Sequence, residues 1–168
     1  MLFRGRQRFL DGFDQPAIAG HPAHFDLFLA GGGQGQDGLA AIVSTCIAKK
    51  ITGLIVSNTT IARPDSLRGR HKSEVGGLSG APLLASSTAM LARAYRLAGK
   101  QLMLIGVGGI FEPEDVMEKI LAGASLVQVY TGFAYQGPAM IPRLKTGLAM
   151  LLRARGFASV TDAIGAGA

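Results

Sequence analysis

Short apolar runs bounded by glycine alternate with amphipathic segments through most of this chain of 168 residues. Residues 53–57, 102–105 and 125–130 have the composition of buried strands. Apolar side chains recur at helical spacing over 39–47, 90–97, 114–122 and 139–155. Strands that are apolar on both faces and separated by helices predict an α/β fold, with a parallel sheet covered by helices.

This alternation begins near residue 36. Residues 1–35 show neither an amphipathic stretch nor a strand-like run, and they contain the sequence Gly31-Gly32-Gly33-Gln34-Gly35. The abrupt change predicts that residues 1–35 are an unpatterned segment, from a wrong reading frame or a misplaced start, and that residues 36–168 form the fold. His21 and His24 have the spacing of metal ligands, but without a third ligand we predict no metal site.

Charge and cysteine content limit the classes of partner and compartment. The net charge is +6, but the lysines and arginines are dispersed and no aromatic residues interleave with them, so we predict no nucleic-acid binding. The only cysteine, Cys46, falls in an apolar helical stripe and is interpreted as a buried structural thiol. No apolar run approaches the ~18–20 residues of a membrane span, and no secretory signal is evident, which predicts a cytoplasmic location.

Two polar or glycine-rich segments follow the first predicted strand, at the sheet edge where ligands bind in such folds. The first is Ser57-Asn58-Thr59-Thr60, whose side chains either bind a polar ligand or bond their own backbone. The second is Gly76-Gly77-Leu78-Ser79-Gly80, which is either a flexible turn or a loop whose backbone approaches an anion or a planar ring. The length of the connection over residues 58–82 favours a binding loop.

A third segment joins two neighbouring strand ends. Gly106-Val107-Gly108-Gly109 follows one strand, and Tyr130-Thr131 ends the next. Donors at adjacent strand ends can converge on one phosphate. The third glycine of the dinucleotide pattern is missing, so a mononucleotide cofactor or a phosphorylated substrate is predicted.

Five motifs, in this order and at this spacing, resemble the C-terminal half of class 2, quinone-dependent dihydroorotate dehydrogenases. They are Gly53-Leu-Ile-Val-Ser-Asn-Thr-Thr60, Gly76-Gly-Leu-Ser-Gly80, Ile105-Gly-Val-Gly-Gly109, Ala122-Gly-Ala-Ser-Leu-Val-Gln-Val-Tyr-Thr131 and Val160-Thr-Asp-Ala-Ile-Gly165. The resemblance covers about residue 37 to the C-terminus. It implies part of a (β/α)8 TIM barrel, roughly its last three βα units, which binds FMN. It also implies oxidation of dihydroorotate to orotate in pyrimidine (UMP) biosynthesis, with a quinone as electron acceptor.

The resemblance also implies a role for individual residues. Ser57 would contact the flavin, while Asn58 and Thr59 would hold orotate. Gly80 would approach the isoalloxazine ring. The FMN phosphate would take backbone and hydroxyl donors from Gly109, Tyr130 and Thr131.

The family's catalytic serine, the lysine of its fifth strand, its first strands and its membrane element have no counterpart in this sequence. We therefore assign no catalytic residue and expect impaired activity, because general base catalysis alone contributes ~10²–10⁴-fold. Open sheet edges predict poor solubility or a partly molten chain. Peripheral membrane association is expected only of the full-length family.

Two alternatives stay open. One is a non-catalytic half-barrel that binds a phosphate-bearing ligand or assembles with a partner chain that completes the barrel. The other is a different FMN barrel oxidoreductase, which would need another way of holding its substrate at Asn58 and Thr59.

Overall fold

A computed structural model of the chain describes residues 27–29 and 36–168. It contains one sheet of four parallel strands whose spatial order is the chain order. The strands are β1 (Leu27–Leu29), β2 (Gly53–Val56), β3 (Met103–Val107) and β4 (Leu126–Gln128). The helices are α1 (Gln36–Ala48), α2 (Leu84–Ala98), α3 (Pro113–Leu121), α4 (Thr131–Gln136), α5 (Met140–Ala154) and α6 (Val160–Ala163). The predicted α/β fold with a parallel sheet is confirmed.

Strand β1 corrects the expectation that residues 1–35 hold no strand. It pairs in parallel with β2, with Leu27 opposite Gly53 and Leu29 opposite Ile55. Strand β4 is equally short but lies within the longer apolar run 125–130, whereas β1 lies in a segment without a periodic pattern. The sheet therefore has four strands where three were predicted. Residues 1–26 and 30–35 lie outside the described residues, as do His21 and His24.

The two faces of the sheet differ. Parallel neighbours joined by right-handed crossovers have their helices on one side, and there Leu54 and Leu104 pair in register and are fully buried. On the opposite face, Ile55 and Ile105 are in register with Leu126, whose side chain is 51% exposed. This sheet with helices on one side only is consistent with part of a barrel.

The helices bury the predicted stripes except at Leu97 of α2 and at Ile141 of α5, which is 40% exposed. Cys46 lies in the core, as predicted, and burial raises the pKa of its thiol. Leu97 was expected to face the core but is 47% exposed, because the buried stripe of α2 follows the positions Ser87, Leu91, Ala94 and Ala98 instead. Lys119, a residue type usually found at the surface, is completely buried in α3.

Across the described residues, no helix is both long enough and apolar enough to cross a membrane. The same residues hold no group of three or more histidine, cysteine or carboxylate side chains that could hold a metal ion.

Candidate functional site

The carboxyl ends of β2, β3 and β4 meet at a cleft of about 240 Å³. Every site residue predicted from the sequence lines this cleft: Ser57, Asn58, Thr59, Gly80, Gly109, Tyr130 and Thr131. These residues come from four separate segments of the chain, and the parallel sheet and its loops bring them together. Leu83, Val107 and Ile110 supply an apolar wall beside them.

The end of β2 supplies the polar side chains of the cleft. Ser57 is buried, whereas Asn58 and Thr59 are exposed. Asn58 Oδ1 accepts a hydrogen bond from the backbone N–H of Thr59 at 2.8 Å. The sequence left open that these side chains bond their own backbone. Asn58 does so, but it uses only the oxygen of its side-chain amide. Within the described residues nothing accepts a hydrogen bond from Asn58 Nδ2, so this donor is free for a ligand.

The connection over residues 58–82 is held by internal hydrogen bonds. Thr60 and Leu78 form an antiparallel bridge, with N···O distances of 3.2 and 2.7 Å. Arg63 Nη2 donates to the carbonyl oxygens of Glu74 and Gly76, each at 2.8 Å. These bonds hold the loop in a defined conformation, and the loop brings the buried Gly80 to the cleft.

The turn after β3 requires glycine. Gly109 has a φ of +82°, and a Cβ there would lie 2.4 Å from the Cα of Leu84. No acceptor among the described residues takes a hydrogen bond from the N–H of Gly109 or Ile110. A close-packed turn with free amide donors is suited to an anion.

Tyr130 and Thr131 face the glycine turn from the end of β4. Thr131 Oγ1 donates to Ser79 Oγ at 3.2 Å, which links this strand end to the 58–82 loop. Tyr130 is 83% exposed. Free amide donors, hydroxyl groups and apolar side chains therefore share one cleft.

Sequence reasoning missed Lys119, which lies behind the glycine turn. Its Nζ donates to Ser87 Oγ at 2.5 Å and contacts the carbonyl oxygen of Leu84 at 3.5 Å. Burial lowers the pKa of Lys119 to about 8, although the charges of Glu118 and Asp115 act in the opposite direction. A signal was available, because position 119 falls between Val116 and Ile120 in the apolar stripe of α3.

Comparison with known proteins places these features in a family. The sequence profile of dihydroorotate dehydrogenase matches residues 36–152. The chain is 52% identical to dihydroorotate dehydrogenase (quinone) of Azorhizobium caulinodans over 77% of its length and 36% of that protein. It is 50% identical to the mitochondrial dihydroorotate dehydrogenase (quinone) of Arabidopsis thaliana over 76% of its length and 28% of that protein.

A solved structure agrees with the sequence comparison. The DHODH of Eimeria tenella in complex with ferulenol superposes with a TM-score of 0.80 at 40% identity, over 84% of this chain and 38% of that one. The four-stranded sheet is thus part of a TIM barrel. The chain spans about a third of the length of the relatives it matches. On this sequence and structural similarity, the chain belongs to the dihydroorotate dehydrogenase family.

Proposed function

We propose that the cleft binds FMN together with dihydroorotate or orotate, and that it is the flavin-binding part of a quinone-dependent dihydroorotate dehydrogenase. One observation carries the proposal: three separate motifs place polar side chains, a glycine loop and free amide donors around one cleft. The similarity to dihydroorotate dehydrogenases (quinone) supports this substrate and this acceptor.

The residues divide between the two ends of the flavin. The N–H of Gly109, the backbone of Tyr130 and the hydroxyl of Thr131 would bind the phosphate. Gly80 would let the ring approach the backbone, with Ser57 beside it. When bound, FMN supplies the hydride acceptor that no amino-acid side chain provides.

The substrate would lie against the end of β2. Asn58 Nδ2 offers a donor, whereas Asn58 Oδ1 already accepts from the N–H and the hydroxyl of Thr59. The oxygen of the Thr59 hydroxyl offers an acceptor. This combination suits a planar ring that carries amide and carboxylate groups, as orotate does. The side chains that line the cleft include no histidine, lysine or carboxylate within the described residues.

The residues of the described cleft would therefore bind and orient the flavin and the substrate. Abstraction of a proton from the substrate needs a further group. The resemblance assigns that group to a serine without a counterpart in this sequence. We accordingly infer that this chain alone oxidises dihydroorotate at least ~10²-fold more slowly than a complete enzyme of the family.

The test is an absorbance titration of the FMN-loaded chain with orotate, followed by anaerobic addition of dihydroorotate. We expect a yellow protein, a shift of the flavin bands with orotate, and slow bleaching with dihydroorotate. Asn58→Ala should weaken orotate binding about tenfold or more, because it removes the free donor. Lys145→Met, an exposed change on α5, is the control and should leave the titration unchanged.

The same titration separates the alternatives. A colourless chain that binds only phosphate compounds indicates the non-catalytic half-barrel, with or without a partner chain. A yellow chain whose spectrum ignores orotate indicates a different FMN oxidoreductase. Either result contradicts the proposed function.

A further inference from the structure

The Lys119 amine is buried without a carboxylate partner in the part of the chain that the structure describes. Glu118, the preceding residue, is exposed. Asp115, one turn before Lys119, is engaged elsewhere, because its Oδ2 accepts the N–H groups of Phe111 and Glu112, each at 2.8 Å. Burying an ammonium group without a counter-ion is costly. An apolar side chain would fill this position without the cost of burying a charge. Packing therefore does not explain why the residue is a lysine.

The hydrogen bonds of Lys119 lead to the glycine turn. The hydroxyl of Ser87, whose oxygen accepts from Lys119, is shared by three carbonyl oxygens, those of Leu83 at 2.7 Å, Leu84 at 3.1 Å and Gly108 at 3.2 Å. Ser87 is itself 1% exposed. The amine and the hydroxyl are therefore buried polar groups that lead to the carbonyl of Gly108, a half-buried residue that lines the cleft.

The geometry of the peptide bond connects these groups to the cleft. The carbonyl of Gly108 and the N–H of Gly109 belong to one trans peptide group, in which the two point in opposite directions. Anchoring the carbonyl on Ser87 turns the N–H of Gly109 away from the core. A positive charge behind the carbonyl also polarises the peptide and strengthens its N–H as a donor.

We propose that Lys119 is a positioning residue: through Ser87 it holds the Gly108–Gly109 peptide so that the Gly109 N–H points at the phosphate of a bound mononucleotide. The role rests on the proposed binding of FMN in the cleft. It concerns the phosphate alone, since the flavin ring lies at the other end.

This distinction gives the experiment its readout. Dissociation constants of FMN and of riboflavin, which has the same ring without the phosphate, are measured for the wild-type chain, Lys119→Met and Ser87→Ala. Methionine keeps the length and apolar packing of lysine, and urea unfolding checks that each variant is folded. Lys145→Met removes one exposed positive charge and controls for net charge.

We expect Lys119→Met to weaken FMN binding about tenfold or more and riboflavin binding less than twofold, with Ser87→Ala intermediate. Lys145→Met should change neither. Equal weakening for both flavins would mean that Lys119 only supports the fold, and unchanged FMN binding would mean that it does not act on the phosphate. Both results overturn the proposal.

A second measurement distinguishes failure of the proposed function from failure of the proposed role of Lys119. A wild-type chain that binds neither flavin contradicts the proposed function. The melting temperatures of the same variants are then compared with and without inorganic phosphate. A rise in the wild type that Lys119→Met lacks supports the role of Lys119, while equal shifts, or none in either, overturn it.

Discussion

The charge on Lys119 makes the stability of the chain depend on pH in a direction that follows from its lowered pKa. In the folded chain this pKa is about 8, against a model-peptide value of 10.5. Between these values the unfolded chain binds the proton and the folded chain does not, so the free energy of unfolding rises with pH. The penalty for burying the charge is fully present below about pH 8.

We therefore expect the wild type to gain about 2 kcal/mol of stability relative to Lys119→Met between pH 7.5 and 10. Urea unfolding at both pH values measures the difference. The thiol of Cys46, with its raised pKa, acts in the opposite direction, but it is present in both chains and cancels. Parallel pH dependences for the two chains would show that the ammonium group is not desolvated.

The residues that line the cleft were predictable, and Lys119 was not, for one physical reason. Ligands in parallel sheets bind at strand ends, so Ser57, Gly109 and Thr131 follow from recognising the strands. Their roles toward FMN and orotate stay predictions. Lys119 lies behind the turn and not at a strand end. Its residue type predicts a position at the surface, and only its place in the apolar stripe of α3 indicates burial.

Among the elements, the 58–82 loop depends on Arg63. Its guanidinium group joins two distant parts of the loop by bonds to the carbonyl oxygens of Glu74 and Gly76. Arg63→Met removes these bonds and should raise the population of the open loop about fivefold or more. Cleavage by trypsin after Arg68, Arg70 and Lys72 measures this opening. Arg96→Met, an exposed change in α2, should cleave at the wild-type rate; an equal rate for Arg63→Met would contradict the role of Arg63.

The C-terminal motif has a packing role that the sequence did not reveal. Gly165 faces the ring of Tyr95, and a Cβ there would lie 2.2 Å from Tyr95 Cε1. Gly156 has nearly the same backbone conformation, with φ +78° against +74°, but open space around it. Gly165→Ala should thus cost about 1–3 kcal/mol more than Gly156→Ala in urea unfolding, since only the first is overpacked. Equal costs would show that the tail does not dock on Tyr95.

The elements themselves follow from sequence periodicity where they are long. Helices α3 and α5 have apolar stripes over several turns and were predicted nearly at their observed bounds. Strand β1 and helix α6 have three and four residues and no longer periodic run around them, whereas the equally short β4 lies within the apolar run 125–130. Strand β1 is defined by its pairing with β2, which is a tertiary contact. Helix α6 is defined by the capping box of Ser159 and Asp162, which is a local contact.

At the scale of the whole molecule, the cleft is built where three strand ends of a partial barrel meet. The proposed phosphate site uses backbone donors, so we expect it to depend on the path of the main chain more than on any charged side chain. Gly109 is therefore the most direct probe of the proposed site. A Cβ at this position must displace Leu84 or the turn itself.

The decisive measurement is the dissociation constant of FMN, from quenching of flavin fluorescence, for the wild-type chain, Gly109→Ala and Gly99→Ala. Gly99 also has a positive φ but open space, so its variant carries backbone strain without a collision at the cleft. We expect the wild type and Gly99→Ala to bind FMN alike and Gly109→Ala to bind it at least about tenfold more weakly. Unchanged binding by Gly109→Ala, or no binding by the wild type, would contradict the proposed site.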